Sequence, residues 1–149
     1  MKKYDKKDHK LLGIWAADCA KRVLPYFERA YPKDKRPREA IKSLRKWART
    51  GIFSMKDVRK ASLDAHVAAR KAKKNKAACF AARAAGQAAA VPHVPEHAFG
   101  PSYYALKMSP DVDAVKEFKW QLKRLPKHLK KDFLAWRAKH LPSNSKKVQ

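Results

Sequence analysis

The sequence predicts an all-α fold, a single compact bundle of about six or seven helices around a buried, alanine-rich central helix. Three observations carry that expectation. Glycine is rare, four in 149 residues, while Ala, Lys, Leu and Arg, all good helix formers, dominate. Apolar residues recur at three-to-four spacing along most of the chain. The stretch Ala77–Val94, AACFAARAAGQAAAVPHV, is nearly free of charge in a chain with 37 lysines and arginines. Small apolar residues in such a run let neighbouring helices approach closely.

The first helix is expected over Asp8–Ala30, with Leu11, Leu12, Trp15, Cys19, Val23 and Phe27 as its apolar stripe and Pro25 as a kink or an end to its regular part. After the loop YPKDKRP, Pro37 suits the first turn of a second helix, whose inner face is Ile41, Leu44, Trp47 and Ala48 and which Thr50-Gly51 stops. Ser54 is the expected N-cap of the third helix, with Asp57 as a short-armed capping partner; Val58, Ala61, Ala65 and Ala68 keep it amphipathic to Lys73. Asn75 opens the alanine-rich fourth helix, which ends or kinks at Pro92 and Pro95. A short fifth helix is expected over Ala98–Met108. A sixth starts at Ser109-Pro110-Asp111 and breaks at Leu125-Pro126, and a last one runs from Lys127 with Leu129, Phe133, Trp136 and Leu141. This divides the chain into one helical domain, residues 1–141, and a disordered basic tail, 142–149.

Net charge is +24, from 37 cationic residues against 13 acids. Such a field draws polyanions: nucleic acid, an anionic membrane or an acidic protein. The lysines are spread along the chain rather than gathered in one run, which is weaker support for a dedicated groove. No apolar stretch of about 20 residues has the composition of a membrane span. The N-terminal segment reads as helix rather than signal peptide, because the apolar run Leu11–Ala17 is short and meets Asp18 at once, so the expected location is cytoplasmic. Cys19 and Cys79, both in alanine-rich contexts, are expected to be buried free thiols.

The polar residues inside this apolar framework are the candidates for a site. Arg83 and Gln87 stand four apart in the alanine helix, with His93 and His97 beyond them. A buried arginine keeps its charge and needs a partner. Asp18 and Asp64 are the carboxylates in similar settings, so Arg83 is expected to pair with one of them, with Gln87 and His66 nearby. The set Asp18, Asp64, His66, Arg83, Gln87, His93 and His97 is thus either a structural network that fixes helix register or a ligand pocket. His93 and His97 have metal-ligand spacing, but Pro95 disturbs the helix between them, there is no HExxH, and no metal is expected. Gly86 is expected to allow a close helix crossing. The four tryptophans are read as core, one of Tyr103 and Tyr104 as facing outward, and Arg36 as a residue that could cap another helix. No GxSxG, GxGxxG, P-loop or CxxC is present, so no catalytic residue and no cofactor is assigned.

Five stretches together resemble the immunity-five-like family of small all-helical immunity proteins: WAADCAKRVLPYFE at Trp15–Glu28, DKRPREAI at Asp34–Ile41, AAGQAAAVPHVPEHA at Ala84–Ala98, SYYALKM at Ser102–Met108 and EFKWQLKRLP at Glu117–Pro126. The resemblance implies an α-helical domain that protects a cell from a toxin by binding a protein rather than by catalysis. The expected partner is a protein toxin or another acidic protein. The alternative is a basic protein that binds nucleic acid without sequence preference, through its net charge.

Overall fold

The computed structural model describes residues 4–140; Leu141 and the predicted tail, 142–149, lie outside the described residues. Among the described residues there are seven α-helices and no strand: α1 Lys6–Ala30, α2 Arg36–Thr50, α3 Met55–Lys71, α4 Lys76–Ala89, α5 Phe99–Leu106, α6 Ala114–Arg124 and α7 Lys127–His140, with a single 3-10 turn at Pro95–Ala98.

The local chemistry explains most boundaries. Asp5 caps α1 by accepting from the Asp8 amide at 2.8 Å. Pro25 was expected to kink or end the regular part of α1, yet the helix runs on to Ala30. Pro25 is exposed, on the side where water can serve the carbonyl that its ring leaves without a donor. Gly51, at φ +71°, closes α2 with its amide on the Trp47 carbonyl at 2.7 Å. Ser54 caps α3 through the Asp57 amide, and Asn75 caps α4 through that of Ala78. The sixth helix differs from expectation: it begins at Ala114, not at Ser109–Asp111, because Asp113 accepts from the amides of Val115 and Lys116, both at 3.1 Å. Pro110, which follows a cis peptide bond, lies in the turn before it.

Helix α4 is the axis of the fold. It packs against α1, α2, α3 and α5, and nine of its residues, eight alanines and Gly86, are buried. Its neighbours can close in because nothing on its buried face projects beyond a methyl group. Three of the bulkiest core side chains form one cluster, where Trp15, Phe99 and Phe133 meet with ring centroids 5.0–6.1 Å apart. The Trp15 indole N–H is satisfied there by the Gln121 carbonyl at 2.9 Å, so its polar atom carries no burial penalty.

A second device ties α6 to α1. Glu117 is buried, and its Oε1 accepts from Arg22 Nε at 2.7 Å. Trp120, one helical turn on, receives Arg22 at 4.3 Å and Arg124 at 4.9 Å from its ring centroid. Of the four tryptophans read as core, Trp15 alone is fully buried; Trp47, Trp120 and Trp136 are half-buried. The two tyrosines do not divide into one inward and one outward residue. Both are half-buried, Tyr103 against Trp136 and Tyr104 against Phe80. Cys19 is buried and Cys79 half-buried, both as free thiols.

Candidate functional site

The polar residues of α4 point along one stripe, since Arg83 and Gln87 are one turn apart. Each finds a histidine. Arg83 Nη1 lies 2.8 Å from His66 Nδ1 on α3. Gln87 Oε1 lies 2.8 Å from His97 Nδ1 in the 3-10 turn. A guanidinium only donates and an amide oxygen only accepts, so His66 accepts at Nδ1 whereas His97 donates there. Burial first, then the Arg83 charge, pushes the His66 pKa down to about 4. Burial, then His93, lowers that of His97.

Two glycines make room for these side chains. A methyl group on Gly86 would lie 2.6 Å from His66 Nε2, and one on Gly100 would lie 2.6 Å from Gln87 Cβ. Gly86 therefore does permit a close crossing, of α3 over α4, and Ser62 Oγ seals it by donating to the Gly86 carbonyl at 2.9 Å. The expected carboxylate partner of Arg83 is not there. Asp18 faces the other way and accepts from Arg45 at 3.0 Å, with Arg124 at 3.5 Å. Asp64 pairs with Lys60, one turn back on the same helix, at 2.6 Å. A neutral imidazole serves Arg83 because the arginine is only half-buried and keeps access to water. His93 is exposed. The structure thus brings together His66, Arg83, Gln87 and His97, and leaves Asp18 and Asp64 outside the group with His93 at its edge. Among the described residues no group of three or more His, Cys, Asp or Glu is placed to hold a metal. Arg36 does not cap another helix; it grips Asp34 with two bonds, at 2.9 and 2.7 Å, which with burial working against them hold the Asp34 carboxyl below its usual range.

A separate concave surface lies where α1 meets the end of α2 and the loop after it. A groove of about 560 Å³ is lined by Lys6, His9, Lys10, Trp47, Arg49 and Phe53 among others. A shallower one of about 280 Å³ continues from it, lined by Lys10, Ile14, Arg45, Ala48 and Arg49. Lys10, Ala48 and Arg49 belong to both and form the saddle between them. No carboxylate lines either part. Among the described residues Lys6, Lys10 and Arg49 enter no ion pair.

The wall of this groove is built, not incidental. Trp47 packs onto Gly13 so closely that a methyl there would stand 3.0 Å from its ring. His9 meets the Trp47 ring at 4.6 Å between centroids and is held by the Val91 carbonyl, 2.6 Å from its Nε2. Beside it the short α2–α3 connection presents two large apolar residues to solvent, Ile52 at 73% and Phe53 at 47% exposure, with Ile14 at 38% on α1. Sequence reasoning passed over this face because Trp47 fits an inner stripe. The available signal was the pair Ile52-Phe53, placed directly after a helix-stopping glycine, where no helical periodicity accounts for them.

No helix among the described residues is long and apolar enough to cross a membrane. A family model described as "Imm-5 like putative immunity protein" matches residues 2–128, most of the chain. No curated protein and no solved structure matches it.

Proposed function

Since the chain belongs to the Imm-5 like family of immunity proteins, we propose that it neutralises a protein toxin by binding it, without catalysis, through the face where α1 meets α2. The observation that carries this reading is the groove itself. Its two parts combine exposed Ile14 and Phe53 and half-buried Trp47 with the cations Lys6, Lys10 and Arg49, and Ile52 stands exposed next to Phe53. Aromatic and aliphatic groups set beside cations suit a specific protein interface, in which the apolar and aromatic groups supply affinity and the charges supply orientation and rate. A net charge of +24 would steer an acidic partner towards it, and the rate of that encounter would fall with ionic strength. Neutralisation then follows from covering the toxin's working surface or from blocking a movement that it needs.

The test is a pull-down from native lysate at about physiological ionic strength, with nuclease-treated and untreated halves compared, followed by addition of the pure chain to the captured protein. A discrete protein that survives nuclease treatment, and whose toxic activity falls at stoichiometric amounts of the chain, supports the reading. Recovery of nucleic acid alone, lost on nuclease treatment or modest added salt, overturns it in favour of binding by charge.

A further inference from the structure

We propose that the groove across α1 and α2 receives an acidic segment of the partner that also carries an aromatic or branched apolar side chain. Its carboxylates would lie over the Lys10–Arg49 saddle and its apolar side chain against Trp47 and Phe53. This rests on the reading of the same face as the toxin-binding surface.

Three observations fix the occupant. The saddle joins the two parts of the groove, so an elongated segment that runs from one to the other must cross Lys10 and Arg49. Both side chains are exposed and, among the described residues, neither enters an ion pair, so a carboxylate there meets charge without displacing an existing pair. On either side of the saddle an apolar group lies within reach, Ile14 beside Arg45 on one and Trp47 with Phe53 beside Lys6 and His9 on the other. Trp47 is already held between Gly13 and His9, so a side chain that seats on it finds a preformed wall. Nucleic acid fits the cations but not the aliphatic groups. Ile14 offers a base no π-face to stack on and a phosphate no donor; Trp47 and Phe53 do offer π-faces, which is why a single-stranded oligonucleotide is the competing probe.

The test uses the full chain and two labelled acidic peptides of about fourteen residues, identical in charge, one with a central Phe-Leu pair and one with Ser-Ser there. A single-stranded oligonucleotide of the same charge is the third probe. At about 150 mM salt the Phe-Leu peptide should bind roughly tenfold or more tighter than the Ser-Ser peptide. The double substitution Lys10→Glu with Arg49→Glu should weaken it by a further factor of about ten, while Lys73→Glu with Lys74→Glu, in the turn between α3 and α4, should cost less than about threefold. Phe53→Ser should abolish the preference for Phe-Leu over Ser-Ser. Lys10→Gln with Arg49→Gln gives the same loss in smaller degree if charge reversal disturbs folding. Equal binding of the two peptides, or equal effects of the two charge reversals, would overturn the proposal. So would an oligonucleotide that outcompetes the Phe-Leu peptide in a Lys10- and Arg49-dependent way. A toxin that is still neutralised by the Lys10→Glu, Arg49→Glu chain would sink this groove and leave the toxin-binding reading standing. Peptide binding as expected, with no toxin captured, would sustain the groove and remove that reading.

Discussion

Arg83 Nη1 lies 2.8 Å from His66 Nδ1, and because a guanidinium can only donate, this contact exists only while the imidazole is neutral. Protonating His66 would place two cations face to face across the α3–α4 crossing.

Stability should therefore fall in acid. The folded His66 has its pKa lowered to about 4 from an ordinary 6.5, so between those values the unfolded chain binds the extra proton. Stability is then fully present above about pH 6.5 and is lost as pH falls towards 4. His97 is shifted in the same direction and adds to the slope. The melting temperature, followed from pH 7 to 4, should drop in the native chain and drop less in His66→Gln. A ring titration by NMR with a midpoint near 6.5 for His66 would contradict this.

Gly86→Ala should destabilise the chain although it improves helix propensity. The gain is about 1 kcal/mol, but the new methyl would stand 2.6 Å from the His66 ring, and overpacking of this kind costs about 1–3 kcal/mol. Denaturant unfolding should show a net loss, and Gly86→Ala combined with His66→Ala should recover part of it.

Arg22→Met should leave Glu117 as a buried carboxylate without its partner. Arg22 is itself 40% exposed, which screens the pair, so the expected loss is about 1–2 kcal/mol rather than the larger cost of a wholly buried one. Adding Glu117→Gln to Arg22→Met should return part of the stability, as read by the urea midpoint.

The two thiols should differ in reactivity. Burial, then the nearby Glu117 charge, raises the Cys19 pKa well above its usual value, whereas Cys79 is half-buried. Alkylation of the folded chain at neutral pH should modify Cys79 first and leave Cys19 unlabelled until denaturant is added. Mass spectrometry of the digest would show early Cys19 labelling if this were mistaken.

The fold was legible in the sequence because its main determinants are local. Periodicity, Ser54, Asn75, Pro37 and Gly51 each act within a few residues, and each sits where the chain places a helix end. The sixth helix shows the limit. Ser109-Pro110-Asp111 and Asp113 are both reasonable starts, and a backbone amide count, not a pattern, chose Asp113. The polar stripe was half legible. That Arg83, Gln87, His66 and His97 share a neighbourhood follows from the alanine helix. That Arg83 takes an imidazole and Asp18 takes Arg45 depends on which way α1 and α2 turn against each other, and residue types alone do not encode that. The α1–α2 groove was not legible, since half-burial of Trp47 exists only once Gly13 and His9 have closed on it.

The alanine axis also constrains how this chain can change. Alanine has no rotamers to lose, so ordering α4 costs backbone freedom and almost no side-chain freedom. The same economy leaves the buried face of α4 nothing to rearrange: a larger residue at Ala81 or Ala85 has only alanines one turn away on its own helix, and none of them can swing aside. Substitutions are then tolerated at two very different rates, freely over the lysine-rich exterior and hardly at all along the axis. A lineage could remodel the α1–α2 face to follow a changing partner while α4 holds the other helices at fixed distances.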